Sequence, residues 1–184
     1  MAKQNVWFTA DTHFGHAAII KHCKRPFATI EEMDEALLKN INDKVKPTDR
    51  LYFLGDMTGK NKPVDKYLER INCQHIFFIR GNHDPKQLPK HKLEAVGELA
   101  TIEIEGQPIV LCHYALRVWN RSHYGAWNLH GHSHGQLPRI PGVKAIDVGV
   151  DVFDYQPVSF EQVRNEMHVI DELKAAMEVG GNPE

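Results

Sequence analysis

The chain has 184 residues, 42% of them apolar and 25% charged, with 22 basic and 24 acidic side chains. That length suits one ordinary domain with a full core, and we expect residues 1–184 to form a single one. A net charge of −2 with histidine neutral leaves no broad basic footprint for duplex nucleic acid, although a local patch stays open.

No apolar stretch approaches the ~20 residues of a membrane helix. Lys3, Gln4 and Asn5 interrupt the apolar start that a signal peptide needs. The three cysteines, Cys23, Cys73 and Cys112, have no metal-type spacing, and the last two sit in apolar runs. The expectation is a cytoplasmic chain without disulfides and without a membrane partner.

In chain order, Val6 to Ala10 reads as a buried strand running into Asp11. Thr29 and Glu32 make a capping-box pattern, and Ile30, Met33, Leu37 and Ile41 follow at helical spacing. Leu51 to Leu54 is a second strand leading into Gly55-Asp56. Pro63 opens a shorter helix, with Val64, Leu68 and Ile71 on one face. His75 to Ile79 is a third strand, ending at Gly81-Asn82-His83-Asp84. Strand–helix–strand–helix–strand is the layout of a parallel sheet, with sites beyond the carboxyl ends of its strands.

The second half reads differently. Leu99 to Ile104 and Pro108 to Cys112 flank a Glu-Gly-Gln turn and predict an antiparallel hairpin ending at His113. Residues 114–128 show no periodicity, as functional or flexible loops do. A short strand then enters Gly131-His132-Ser133-His134, Val143 to Val148 forms another, and Ser159 with Gln162 caps a last helix. Gly180 to Glu184 reads as a frayed tail.

Twelve histidines are present, and most lie near aspartate, asparagine or glycine. Histidine is the commonest metal ligand and an acid–base group. His22, His75, His91 and His168 read as surface or packing residues. Asp11-x-His13 places a carboxylate and an imidazole at one strand end, Asp56 offers two oxygens able to bridge two cations, and Asn82 offers a neutral carbonyl. Alone, the first two read better as polar turns, while Gly81-Asn82-His83-Asp84 is the more specific cluster. His132-x-His134 is the stronger signal, because two histidines at that spacing serve no packing role.

Taken in order, Asp-x-His, Gly-Asp, Gly-Asn-His-Asp, His and Gly-His-x-His resemble the calcineurin-like metallophosphoesterase superfamily, in its compact bacterial and phage form. The resemblance runs from Asp11 to His134. It implies an α/β fold: a four-layer β-sandwich of two mixed sheets flanked by helices. It further implies two divalent metal ions, manganese favoured over iron, zinc or nickel. Asp11, His13 and His134 would hold the first, Asn82, His113 and His132 the second, and Asp56 both. His83 would be the catalytic acid or charge stabiliser facing the phosphate. The expected reaction is hydrolysis of a phosphodiester or phosphomonoester by hydroxide held between the metals.

Protein phosphatases of that superfamily carry valine–aspartate–arginine–glycine after Gly-Asp, where Met57, Thr58, Gly59 and Lys60 stand here. This leaves the partner of His83 open and argues against a phosphoprotein substrate. A small, nucleotide-like substrate is the expectation, with His16, Arg117 and His123 as candidate contacts beside Arg121. Trp119, Tyr124 and Trp127 are candidates for base stacking, with packing favoured. Arg80 reads as a structural ion pair. The alternatives are a nuclease acting on single strands and a non-catalytic scaffold of the same fold.

Overall fold

The computed structural model describes residues 4–60, 62–89 and 91–180. Five strands form one sheet: β1 (Val6–Thr9), β2 (Arg50–Phe53), β3 (His75–Ile79), β4 (Leu93–Gly97) and β9 (Val158–Ser159), in the order β4-β3-β2-β1-β9. The first four run parallel, and β9 pairs antiparallel with β1. The second sheet has the order β5-β6-β7-β8, built from β5 (Leu99–Ile104), β6 (Gln107–Cys112), β7 (Trp127–His130) and β8 (Ala145–Asp147). Its β5–β6 pair is the expected hairpin, but β6, β7 and β8 run parallel. Both sheets are therefore mixed, and each sends parallel strand ends towards the acidic and imidazole loops.

Alternation along the strands of the first sheet separates two cores. Leu51, Phe53, Ile76 and Phe78 face the helices α1 (Ala17–His22), α2 (Ile30–Lys44) and α3 (Asp65–Leu68) and pack with Met33, Leu37, Ile41 and Leu68. Phe8, Tyr52, Leu54 and Ile79 point the other way and meet Ile109, Leu111, Leu129 and Ile146 of the second sheet. Phe160, Val163, Met167 and Ile170 of α4 (Phe160–Gly180) join that inner layer. On the outer side of the second sheet, Val110 packs with Trp119 and Ala126 of the long connection before β7. Stacked sheets with this alternation leave the strand ends as the natural place for a site.

The expected caps are present. The Thr29 hydroxyl accepts from the Glu32 N–H at 3.1 Å, and the Glu32 carboxylate reaches back to the Ala28 N–H at 2.7 Å. Ser159 and Gln162 exchange the same kind of bonds at the start of α4.

Several boundaries differ from the sequence reading. α1 and β4 were not anticipated: α1 has six residues, and β4 buries only Leu93 fully, so neither carries a strong period. The helix expected from Pro63 is the single turn Asp65–Leu68, and the strand expected over Val143 to Val148 is Ala145–Asp147. The stretch 114–128 is not wholly irregular. It holds a 3₁₀ turn, Ser122–Tyr124, and Trp127 and Asn128 belong to β7. Gly180 ends α4, and residues 181–184 lie outside the described residues. Among the described residues no helix is long and apolar enough to cross a membrane.

Candidate metal centre

The loops after β1, β2, β3, β6 and β7 converge through main-chain bonds that continue the sheets. The Asp11 N–H donates to the Gly55 carbonyl and the His13 N–H to the Asp56 carbonyl, both at 3.0 Å. The Gly131 N–H donates to the His113 carbonyl at 3.0 Å, and the His132 N–H to Asp11 Oδ2 at 2.8 Å. Asp56 Oδ1 accepts from the His83 N–H at 2.9 Å. Each carboxylate is thus aimed by its own loop and held by a second one.

Five of the seven expected ligands sit in the left-handed region: Asp11 (φ 58°), His13 (50°), Asp56 (54°), His132 (66°) and His134 (47°). Such backbone costs of order 1–3 kcal/mol per residue and persists only where surroundings over-determine it, commonly at functional sites. Glycine makes the close approach feasible. A Cβ on Gly81 would lie 2.1 Å from Asp56 Oδ1, and one on Gly131 would lie 2.5 Å from Asp11 Oδ2.

The expected ligands fall into two groups, and His13, His16 and His83 also bring ring nitrogens within 4.8 Å of one another. Donor atoms of Asp11, His13 and His134 lie within 4.8 Å of one another, and so do those of Asp56, His113 and His132. Asp56 Oδ2 stands between them, 3.7 Å from His13 Nε2 and 3.5 Å from His113 Nε2. Asn82 Oδ1 is 3.2 Å from His113 Nε2 and joins the second group. Asp11 Oδ1 and both ring nitrogens of His13 are buried with no hydrogen-bond partner among the described residues. Unpaired buried donors and acceptors of this kind are rare unless a ligand satisfies them. The donor set of carboxylate, imidazole and carboxamide without thiolate suits a first-row divalent cation.

The electrostatics agree. Burial pushes the Asp11 carboxyl up to about 7, opposed by the charges of His113 and His134. Burial pushes the His13 imidazole down to about 3, which keeps it neutral and able to donate its lone pair. Burial also works against charge on His113, but the Asp56 hydrogen bond and the Asp11 and Asp56 charges raise it to about 9. Asp56 in turn is held below the usual carboxylate range: burial opposes its charge, and His113, the His83 N–H and His13 together outweigh that. A carboxylate this deeply buried needs a cation nearby.

His13, His16, Ile19, His22, Asp56, Asn82, His83, His132 and His134 line a cavity of about 310 Å³. The His83 ring stands edge-on to His13 at 5.0 Å and 5.6 Å from that of His16. His83 and His16 are therefore brought to the site. His22, read from the sequence as a surface or packing residue, lines the same cavity, because α1 carries it there. Arg117 and His123 are exposed on the loop before β7 and are not among the residues lining this cavity. Trp119 and Trp127 are buried, as packing residues, and Tyr124 is exposed. Arg80 pairs with Glu98 at 3.6 Å and bonds the Lys86 carbonyl, a structural arrangement.

Three residues around the site had no role in the sequence reading. Asp84 accepts main-chain bonds from Asp56 (2.7 Å), Met57 (3.0 Å) and Gly81 (2.8 Å). Arg25 and Asp151 form a buried pair behind His134. Asp84 was visible as the fourth residue of its cluster. Arg25 and Asp151 are 126 residues apart and carried no local signal. Donor atoms of Cys23, His134 and Asp151 also approach within 4.8 Å. Both Asp151 oxygens are engaged by Arg25, and burial followed by the Asp151 charge pushes the Cys23 thiol up to about 11. In that group the His134 imidazole is hydrogen-bonded to Asp151, whose two oxygens Arg25 already engages.

A two-sheet sandwich with these loops converging at its strand ends has the metallophosphoesterase fold. The chain belongs to the calcineurin-like phosphoesterase family, whose model matches residues 4–166. It is 38% identical over 172 residues to an uncharacterized protein of Methanocaldococcus jannaschii, covering 89% of this chain and 91% of that one. It is 27% identical over 182 residues to the Gene 66 protein of Mycobacterium phage L5, covering 81% and 87%. A solved structure of a protein of unknown function from Aquifex aeolicus superimposes with a TM-score of 0.72 at 24% identity, covering 89% of this chain and all (100%) of that one.

Proposed function

We propose that this chain is a two-metal phosphoesterase hydrolysing small, nucleotide-like phosphodiesters or phosphomonoesters. The observation that carries the reading is the position of Asp56 Oδ2 between His13 Nε2 and His113 Nε2, one from each cluster. Two divalent cations bound there would supply an activated water and neutralise charge on a phosphoryl group. Asp11, His13 and His134 would hold one, and Asn82, His113 and His132 the other, with Asp56 shared; manganese is the first choice of metal. His83, a non-ligand on the cavity wall, faces the phosphoryl oxygens and donates a proton or hydrogen bond to the leaving oxygen. His16 contributes a second imidazole on the same wall. A cavity of about 310 Å³ suits a small ester better than a folded protein substrate.

The test is a panel of substrates given to manganese-reconstituted protein: a bis-aryl phosphodiester, an aryl phosphomonoester, cyclic nucleotides and single-stranded DNA. Turnover of small esters that is lost with chelator and restored by metal supports the reading. Cleavage of DNA in preference to small esters turns it to the nuclease. Metal binding without turnover of any of them turns it to a scaffold.

A further inference from the structure

Arg25 is a fully buried guanidinium whose side chain is 0% exposed, and Asp151 beside it is 7% exposed. Taking both charges from water is costly and is offset only by near-complete hydrogen bonding. That bonding is present. Arg25 Nε and Nη2 donate to the two Asp151 oxygens at 2.8 and 2.7 Å, a planar fork meeting a planar carboxylate. Nη2 also donates to the Asp11 carbonyl at 2.7 Å, and Nη1 to the Thr12 carbonyl at 3.0 Å. Asp151 Oδ2 meets His134 Nδ1 at 2.7 Å. All but one of these partners belong to the loop that carries Asp11 and His13 or to the His134 ring and its carboxylate. The exception is a contact from Nη1 to Met33 Sδ at 3.3 Å. Among the described residues no hydrogen bond of this pair goes to Asn82, His113 or His132. The second cluster has a plainer support: His113 Nδ1 meets the Leu54 carbonyl at 2.8 Å.

We propose that the Arg25–Asp151 pair is the positioning device of the Asp11–His13–His134 cluster. Asp151 fixes the His134 tautomer, so that Nδ1 is the hydrogen-bond donor and Nε2 is left for a cation. Arg25 fixes Asp151 and, through two carbonyls, the left-handed turn on which Asp11 and His13 sit. The pair acts through the ligands and touches no substrate. It bonds directly to the loop and ring of one cluster, and reaches the other only through the His132 N–H on Asp11 Oδ2 and the His13 N–H on the Asp56 carbonyl, so its loss is felt chiefly at the first. Carboxylate partners of metal-bound histidine typically set affinity by 10–100-fold. The inference rests on the two-metal reading, and a separate measurement tests each.

The experiment is a manganese titration of metal-free wild type, Asp151→Asn and Arg25→Lys, followed by the spin signal of bound against free ion, with the melting temperature of each metal-free protein beside it. Two equivalents bound by wild type is the result the two-metal reading requires, and fewer than two counts against that reading alone. For the pair, the expected result is one site weakened by about 10–100-fold in each variant while the other keeps its wild-type affinity. A merely structural pair would lower the melting temperature and weaken both sites together, and that outcome overturns the proposal. Unchanged affinity at both sites overturns it too. Arg25→Lys keeps the charge and the buried ion pair but not the fork. It therefore carries the test if Asp151→Asn does not fold.

Discussion

The main-chain N–H of Asp56 donates to Oδ2 of Asp84 across 2.7 Å, so one carboxylate that never faces the cavity floor fixes another that does. The same Asp84 accepts from Met57 and Gly81, and in doing so clamps the loop after β2 to the loop after β3. Asp56 is thereby held at φ 54° with its side chain between the two histidine groups. Asp84→Ala leaves three buried N–H groups without an acceptor. Bonds to a charged acceptor contribute about 1.5–3 kcal/mol each, and partial relaxation leaves a net destabilisation of about 3 kcal/mol. We expect that loss in denaturant unfolding of the metal-free variant, together with weaker metal binding at both clusters, since Asp56 Oδ2 stands between them.

The glycine at position 131 gives a cleaner steric test. A Cβ there would lie 2.5 Å from Asp11 Oδ2 and 2.6 Å from Ala10 Cβ, distances that no small shift relieves. Gly131→Ala must push Asp11 off its bond from the His132 N–H. The variant should lose metal at the Asp11 cluster while keeping the fold, with overpacking costing about 1–3 kcal/mol. Metal stoichiometry with the far-ultraviolet dichroism of the same sample checks both halves.

The buried carboxylate and imidazoles make metal affinity depend on pH, and the sign follows from the groups themselves. Asp11 is raised to about 7 and His113 to about 9 in the metal-free protein. Both protons must leave before the ligands can bind, so affinity climbs from pH 6 to pH 9 and binding releases protons. Calorimetry in buffers of different ionisation enthalpy measures the release. Stability of the metal-free protein depends on the same groups, and for Asp11 with the opposite sign. Asp11 is raised above its unfolded value of 3.8, so its contribution is full below that pH and is lost as pH rises through about 7. His13, lowered to about 3, works in the opposite sense: its contribution is present above 6.5 and is lost as pH falls towards 3. The difference between wild type and Asp11→Asn isolates the first effect, and that difference should fall between pH 4 and pH 7.

Much of this centre is legible in the sequence because its residues follow strands whose own signals are strong. β1, β2 and β3 read as short apolar runs, and each of the first three clusters begins within three residues of a strand end. The hairpin of β5 and β6 is legible from alternation and its Glu-Gly turn, and it delivers His113. What is not legible depends on contacts made at a distance. β4 buries only Leu93, so it has no period to find. Trp119 lies in an aperiodic loop, yet it covers Val110 and donates its indole N–H to the Ala126 carbonyl at 2.9 Å. His22 reads as a surface residue until α1 places it on the cavity wall. Arg25 and Asp151 each look like an ordinary charged loop residue, and only the fold brings the two together.

A variant at His83 tests binding and chemistry separately. The His83 main-chain N–H holds Asp56 Oδ1, so that bond survives truncation of the side chain. Its ring lies on the cavity wall beside His13 and His16, with Nδ1 buried and without a hydrogen-bond partner among the described residues. No aspartate stands in the four residues after Gly55-Asp56. Met57, buried, and Thr58 occupy that stretch, and Gly59 seats His16, with a Cβ at Gly59 lying 2.8 Å from His16 Cβ. Among the described residues the ring contacts of His83 are to the imidazoles of His13 and His16. His83→Ala should bind metal with the stoichiometry and affinity of wild type and lower kcat by about 10²–10⁴-fold, the usual contribution of a positioned acid. The deficit should be smaller for an ester with a good leaving group, such as a nitrophenolate, than for an alkyl ester, because a phenolate leaves without a proton. An equal deficit for both esters would assign His83 to charge stabilisation instead, and wild-type turnover of the alkyl ester would remove it from the reaction.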